Sequence, residues 1–180
     1  MERLDIALFR LINGLAGRWP LLDDAGRLMT WAGYAGAVWL LIALIFLLRR
    51  QRRASFSVVL VLAVTGLLDT LIKLAVGRPR PPFTLPDVNL LLPVPDSYSF
   101  VSGHGLTSFA AATLIALTWR QRGVAPAVLA LAAAIAWSRI HVGHHYPSDV
   151  LAGSVLGVLT GYHVWVRLRP AIPTGLSRDA

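Results

Sequence analysis

The sequence predicts an all-α protein: a polytopic transmembrane helix bundle of five spans, with an amphipathic or partial sixth helix at its N-terminus. Three observations carry that prediction. Hydrophobic residues make up 56% of the 180 residues and mean hydropathy is +0.62, too apolar for an ordinary soluble domain of this size. Five runs are free or nearly free of charge. Clusters of arginine fall at alternate ends of those runs.

Residues 1–20, MERLDIALFRLINGLAGRWP, set Leu4, Leu8, Leu11, Ile12 and Leu15 at helical spacing, interrupted by Asp5 and Arg10. This predicts an amphipathic helix lying at the membrane interface, with a tilted or partial span as the alternative. The stretch lacks the basic start, unbroken apolar centre and small-residue cleavage site of a signal peptide, so it is expected to stay in the mature protein.

The five runs are 28–48, 54–72, 106–119, 123–138 and 150–166. Crossing about 30 Å of hydrocarbon takes roughly 20 residues, with about 17 as the lower limit, so the shorter runs draw on their flanks. Extending the third back to Ser102 supplies that length. Arg49, Arg50, Arg52 and Arg53 follow the first run, Arg120 and Arg122 the third, Arg167 and Arg169 the last. Under the positive-inside rule all three clusters are cytoplasmic, which brings 73–101 and 139–149 together on the outer side. In a soluble domain a net charge of +8 would raise nucleic acid as a partner. Here the charges border membrane segments, so membrane lipids are the expected partners and nucleic acid is not. Residues 78–98 hold six prolines, cannot form a regular helix, and read as an ordered outer loop or a flap over a site. The chain reads as one domain over 1–180. With zero cysteines it has no disulfide, thiolate nucleophile or sulfur-ligated metal.

Three polar islands interrupt this pattern. In KLAVGRPRP, the chain's single lysine, Lys73, is followed by Arg78 and Arg80. Lys73 alone reads as a snorkelling side chain at a helix end, and Asp69 one turn earlier can pair with it. Three cations in eight residues, stiffened by prolines, repel one another unless an anion sits among them. In SFVSGHGLTSF, Ser102, Gly103 and His104 open a helix whose free N–H groups and positive dipole end face outward, an anion site unless Ser102 is a simple N-cap and His104 packed. Glycine at 103 and 105 allows close approach to the backbone.

The third island is SRIHVGHHYPSD, 138–149. Arg139 offers a planar fork for two phosphate oxygens. Pro147 suits a helix start, and Asp149 in the first turn can reach back to one ring nitrogen of His145. The other nitrogen then stays unprotonated toward the cations, the pairing of orienter and histidine nucleophile. His141, His145 and Asp149 are also spaced to supply metal ligands on one helical face. The surrounding arginines make a poor home for a dication. His141 and His144 are expected to line the pocket or an interface, and His163 to be a satisfied core histidine.

Taken together the islands resemble the type 2 phosphatidic acid phosphatase superfamily, whose pattern is K-x6-RP, PSGH and SR-x5-H-x3-D. Lys73 and Arg80-Pro81 match the first element, and the spacing selects Arg80 over Arg78. Ser102-Gly103-His104 match the second, with Val101 where the family has proline. Ser138-Arg139, His145 and Asp149 match the third throughout. The resemblance implies that Lys73, Arg80, Arg139, Ser102 and the Gly103 amide bind the phosphoryl group. It also implies that His145 attacks phosphorus, that Asp149 orients His145, and that His104 serves the leaving oxygen and then water, with no cofactor or metal. The compact chain, with ALFRLINGLAG followed by LLDDAGRLMTWAG, is similar to bacterial undecaprenyl-diphosphate phosphatases of that superfamily. A lipid phosphate or diphosphate is therefore the expected substrate, at the outer face of a bacterial inner membrane; phosphatidylglycerophosphate, phosphatidate and lipid A are alternatives. A non-enzymatic lipid or anion carrier is the competing class. It requires a polar path through spans whose interiors hold only Asp69 and His163.

Overall fold

The computed structural model describes residues 2–119 and 121–168; Arg120 and Arg169, two of the arginines assigned to the cytoplasmic side, lie outside them. The helices are α1 (Glu2–Asn13), α2 (Pro20–Gly33), α3 (Ala37–Leu48), α4 (Arg52–Val76), α5 (Gly103–Thr118), α6 (Val124–His141) and α7 (Pro147–Leu168). No strand occurs among the described residues.

Among the described residues four stretches are long and apolar enough to cross a membrane: Pro20–Leu48, Arg52–Phe83, Val124–His141 and Pro147–Leu168. The third expected run, α5, has 16 residues, about 24 Å at the helical rise, and runs through the middle of the bundle. The first expected run is not one straight helix. It begins earlier, at Pro20, and breaks at a 3₁₀ turn over Tyr34–Gly36 where Ala35 (φ 48°) and Gly36 (φ 73°) are left-handed. That break separates α2 from α3, and an unbroken run of apolar residues gives no sign of it.

At 12 residues, about 18 Å, α1 is too short to span. Its Phe9 is fully buried in a cluster with Ala136, Ile140, Tyr146 and Val150, while Leu4 and Leu11 are 65% and 69% exposed. Asp5, seen in the sequence as an interruption of the apolar stripe, is buried on the inner side.

Helix α5 packs on α7 through small residues. A Cβ at Gly153 would lie 2.6 Å from the Ser102 carbonyl oxygen, and Cβ atoms at Gly157 and Gly161 would overlap the carbonyl oxygens of Leu106 and Ala110. In a membrane, where lipid competes equally for apolar surface, such backbone approach is a main source of helix association. The contacts run in step, 102 with 153, 106 with 157, 110 with 161, so α5 and α7 are parallel and start at the same end. Thr107 Oγ1 donates to Thr65 Oγ1 at 3.2 Å and Gly103 meets Asp69, which brings the end of α4 to the start of α5. Leu40, Leu44, Leu67, Leu71, Leu151 and Val155 point outward. His163 is also on the outer surface, its Nδ1–H donating to the Leu159 carbonyl at 2.8 Å. This corrects its expected place in the core: its own helix satisfies it.

The proline-rich segment contains one 3₁₀ turn, Pro81–Phe83, and is tied to α1. Asn13 donates to the carbonyls of Asn89 and His141 and accepts from Asn89 N, at 2.8–2.9 Å.

Candidate active site

Four elements converge at the end of the bundle where α5 and α7 begin. Helix α4 ends at Gly77, whose left-handed φ of 63° turns the chain away while its N–H caps Lys73 O at 2.9 Å. The chain then crosses through Arg78 and Arg80 to Ser102, the N-cap of α5. The α6–α7 turn carries His144 and His145 between Arg139 and Asp149. A cavity of about 500 Å³ opens between these elements, with Lys73, Asp69, Arg80, Gly103, His104, Arg139, His144 and His145 in its polar lining. Six of the eight residues named from sequence thus line one cavity. Ser102 and Asp149 are fully buried and do not. Ser102 Oγ faces Gly105 N at 3.5 Å, and its own N–H donates to the Asp149 carbonyl at 3.0 Å. Val101 is fully buried, and the Phe100–Val101 peptide bond is cis.

Arg80 is 2% exposed, and each of its three guanidinium nitrogens donates a hydrogen bond. Nε and Nη2 donate to the carbonyl and hydroxyl of Ser97 at 2.7 and 2.9 Å, and Nη1 donates to the His144 carbonyl and to His145 Nε2, both at 2.9 Å. A guanidinium only donates, so Nε2 of His145 accepts and the ring proton sits on Nδ1. The same logic fixes His144: Nδ1 accepts from Arg139 Nη2 at 2.6 Å, and Nε2–H donates to the Leu92 carbonyl at 3.1 Å. His104 donates through Nε2 to the Thr30 carbonyl at 3.1 Å, which leaves its lone pair on Nδ1.

The expected direct bond from Asp149 to His145 is longer than a hydrogen bond, 3.7 Å from Oδ2 to Nδ1. Ser99 stands beside both: its hydroxyl donates to Asp149 Oδ2 at 2.5 Å and lies 3.5 Å from Nδ1. Asp149 Oδ1 accepts from Arg78 Nη1 at 2.6 Å. Sequence reasoning missed Ser99 and expected Arg78 among the cations around an anion, whereas it sits between Asp5 and Asp149 outside the cavity lining. Arg78 left a signal in the duplicated Arg-Pro, Ser99 none. Lys73 pairs with Asp69 Oδ2 at 2.8 Å, as the one-turn spacing allowed.

Burial, followed by the nearby charges of Arg80 and Arg139, lowers the His145 pKa well below the ordinary imidazole range. Burial and Arg139 bring His144 down to about 4. Both rings are neutral at pH 7, as a nitrogen nucleophile requires. Among the described residues no three His, Asp or Glu side chains form a metal-sized cluster. His141 turns instead to Asp23 Oδ1 at 3.0 Å and stacks on Trp137, so the candidate ligand set does not converge. The arrangement can hold a tetrahedral anion against three cations with Nε2 of His145 facing it.

The cavity also has an apolar lining, including Trp31, Tyr34, Leu62 and Pro93, and Trp31 and Tyr34 are 59% and 61% exposed. A Sulfolobus acidocaldarius protein named undecaprenyl-diphosphatase is 31% identical over 162 residues, 85% of this chain and 73% of that one. A Rhizobium etli protein named lipid A 1-phosphatase is 30% identical over 179 residues, 86% of this chain and 75% of that one. The crystal structure of Aquifex aeolicus LpxE matches with a TM-score of 0.80 at 30% identity, covering 89% of this chain and 94% of that one. The protein is thus similar to lipid phosphatases in sequence and to a solved relative in fold; it is a multi-pass membrane enzyme that hydrolyses phosphate esters. The profile of the PAP2 superfamily matches residues 54–172, well over half the length, and the chain belongs to that superfamily.

Proposed function

We propose that the protein removes the terminal phosphate of a lipid diphosphate, undecaprenyl diphosphate first among candidates, through a phosphohistidine at His145. The observation that carries this reading is the bond from Arg80 to His145 Nε2, which marks that nitrogen as unprotonated beside a cavity that also holds Lys73 and Arg139; Arg80 passes from the ring to a phosphoryl oxygen as the attack begins. Lys73, Arg80, Arg139 and the Gly103 amide at the start of α5 bind the phosphoryl oxygens, with Ser102 shaping that helix start. Nε2 attacks phosphorus as the bond to the lipid-phosphate oxygen breaks, and His104, once protonated, gives that oxygen its proton. Water then attacks the phosphohistidine, its proton passing to His104, and inorganic phosphate leaves. Asp149 and Ser99 hold Nδ1–H throughout. The fixed cations supply the charge stabilisation that a magnesium ion supplies in many phosphoryl transfers.

The apolar lining supports a lipid guest, and the name of the Sulfolobus relative supports a polyprenyl diphosphate. The name of the Rhizobium relative supports a second reading, a lipid monophosphate such as lipid A. The arginines at 49, 50, 52, 53, 122 and 167, at the opposite ends of the helices, support a site at the outer face of the membrane, which for a bacterial protein of this kind is the inner membrane.

The test is phosphate release by the purified protein, with EDTA present, from undecaprenyl diphosphate, lipid A, phosphatidylglycerophosphate and phosphatidate, alongside His145→Ala. Release that survives EDTA and vanishes in the variant supports the histidine mechanism, and the rates rank the lipids. Turnover by His145→Ala, or a need for added metal, overturns it.

A further inference from the structure

Helix α1 sends one carboxylate into the rear of the site. The Asp5 side chain is 10% exposed, on the inner face of a helix whose outer face carries Leu4 and Leu11. Its Oδ1 accepts from Ser148 N at 2.9 Å, and its Oδ2 accepts from the Ser148 hydroxyl and from Arg78 Nη2 at 2.8 Å. Arg78 continues to Asp149 through Nη1 at 2.6 Å, with its guanidinium 4.1 Å over the Tyr146 ring. Asp149 Oδ2 accepts from the Ser99 hydroxyl and from Tyr146 N at 3.0 Å, beside His145 Nδ1. A series of charged contacts therefore runs from the first helix to Asp149, which lies 3.7 Å from the imidazole Nδ1.

Charge balance along this series gives Asp5 a task beyond fastening α1. Arg78 alone would neutralise Asp149, and a neutral pair behind the ring does little for a positive charge on it. Asp5, Arg78 and Asp149 together carry a net charge of −1. When Nε2 bonds to phosphorus while Nδ1 keeps its proton, the ring becomes cationic, and a net negative group buried behind it stabilises that charge. With the third charge removed, the sum is zero.

We infer that Asp5 is a positioning residue for the reaction: by neutralising Arg78 it keeps the charge of Asp149 directed at His145. This rests on His145 being the nucleophile, as proposed above. A purely structural role, a carboxylate fastening α1 to the start of α7, predicts lost stability with unchanged chemistry.

The full-length protein in detergent is assayed with p-nitrophenyl phosphate, a probe whose cleavage does not depend on which lipid is native. The variants are Asp5→Asn, Arg78→Gln and the double variant, with His145→Ala as control. Asp5→Asn is isosteric and still accepts from Ser148 N. It should lower kcat by about tenfold while KM stays within about twofold, the signature of a group acting mainly on the transition state. In the Arg78→Gln background, where no cation remains to be balanced, the same change should lower kcat by less than about twofold. Asp5→Asn with kcat near wild type, or losses that multiply in the double variant, overturns the inference. If Asp5→Asn does not fold alone, comparison of Arg78→Gln with the double variant reads the same coupling. Turnover by His145→Ala would instead sink the nucleophile assignment, so the two failures are distinct.

Discussion

On the cavity side of His145, Lys73, Arg80 and Arg139 face about 500 Å³ of space with one carboxylate, Asp69, among them; behind the ring, Arg78 lies between two carboxylates. Buried atoms without a hydrogen-bond partner include Asp69 Oδ1 and Arg139 Nε, both in residues of the cavity side. Behind the ring, Asp5, Arg78, Ser99 and Asp149 bond one another or nearby backbone. Buried polar groups are nearly always paired, and the Arg139 Nε–H is a donor left for an anion's oxygen to take up. The front wall is therefore built to receive an anion, and the rear to hold a ring still.

Substitutions should separate these two jobs. The ring itself serves both, so His145→Ala has the largest effect, a loss of release of about 10⁴-fold or more. Thermal melting should show that the variant still folds; turnover within tenfold of wild type would remove the ring from the chemistry. Next is the front wall. Arg139→Lys keeps the charge but loses the planar fork that joins His144 to the cavity, and kcat/KM should fall about 10²-fold. A loss below threefold would mean that Arg139 acts as a point charge. The rear wall yields less. Ser99→Ala removes one of two donors to Asp149 Oδ2 while Tyr146 N remains, so kcat should fall about 3- to 10-fold with KM unchanged. An increase in KM of the same size would move Ser99 to the binding side.

The front wall was largely legible in the sequence, and of the rear only Asp149 was. Lys73, Ser102 and Asp149 each sit at a helix end, and helix ends announce themselves locally, through Gly77, through a serine before an apolar run, and through Pro147. The interval from Lys73 to Arg80 likewise singled out the arginine that reaches His145. The rear depends on pairings across 71 residues, Arg78 to Asp149, and 143 residues, Asp5 to Ser148, which no local spacing encodes. Asp5 looked like a flaw in an amphipathic stripe because one helix alone does not show what its polar position meets. The break at 34–36 was hidden for a similar reason: the run stays apolar through it, and only the backbone angles at Ala35 and Gly36 reveal the turn.

Acid should reach His144 on the front wall before Asp5 at the rear. His144 on the front wall has its pKa held at about 4 by burial and Arg139, and His145 is displaced the same way. The unfolded chain protonates histidine near 6.5, so from there down to about 4 the unfolded state binds more protons than the native one, and stability falls as pH falls. At the rear, burial raises the Asp5 pKa, but hydrogen bonds from Ser148 and Arg78 outweigh it and leave the carboxyl below its ordinary 3.8. Its contribution is complete above that value and is lost only as pH drops further, so Asp5 keeps its contribution through the range in which His144 loses its own. Melting temperature followed from pH 7.5 to 3 should first decline below about 6.5, with a shallower slope in His144→Gln. Asp5→Asn should lower the whole curve above pH 4 without changing that slope. A flat melting temperature between pH 6.5 and 4 would mean that the front histidines are not held neutral, and the contrast between the two walls would have to be drawn from geometry alone.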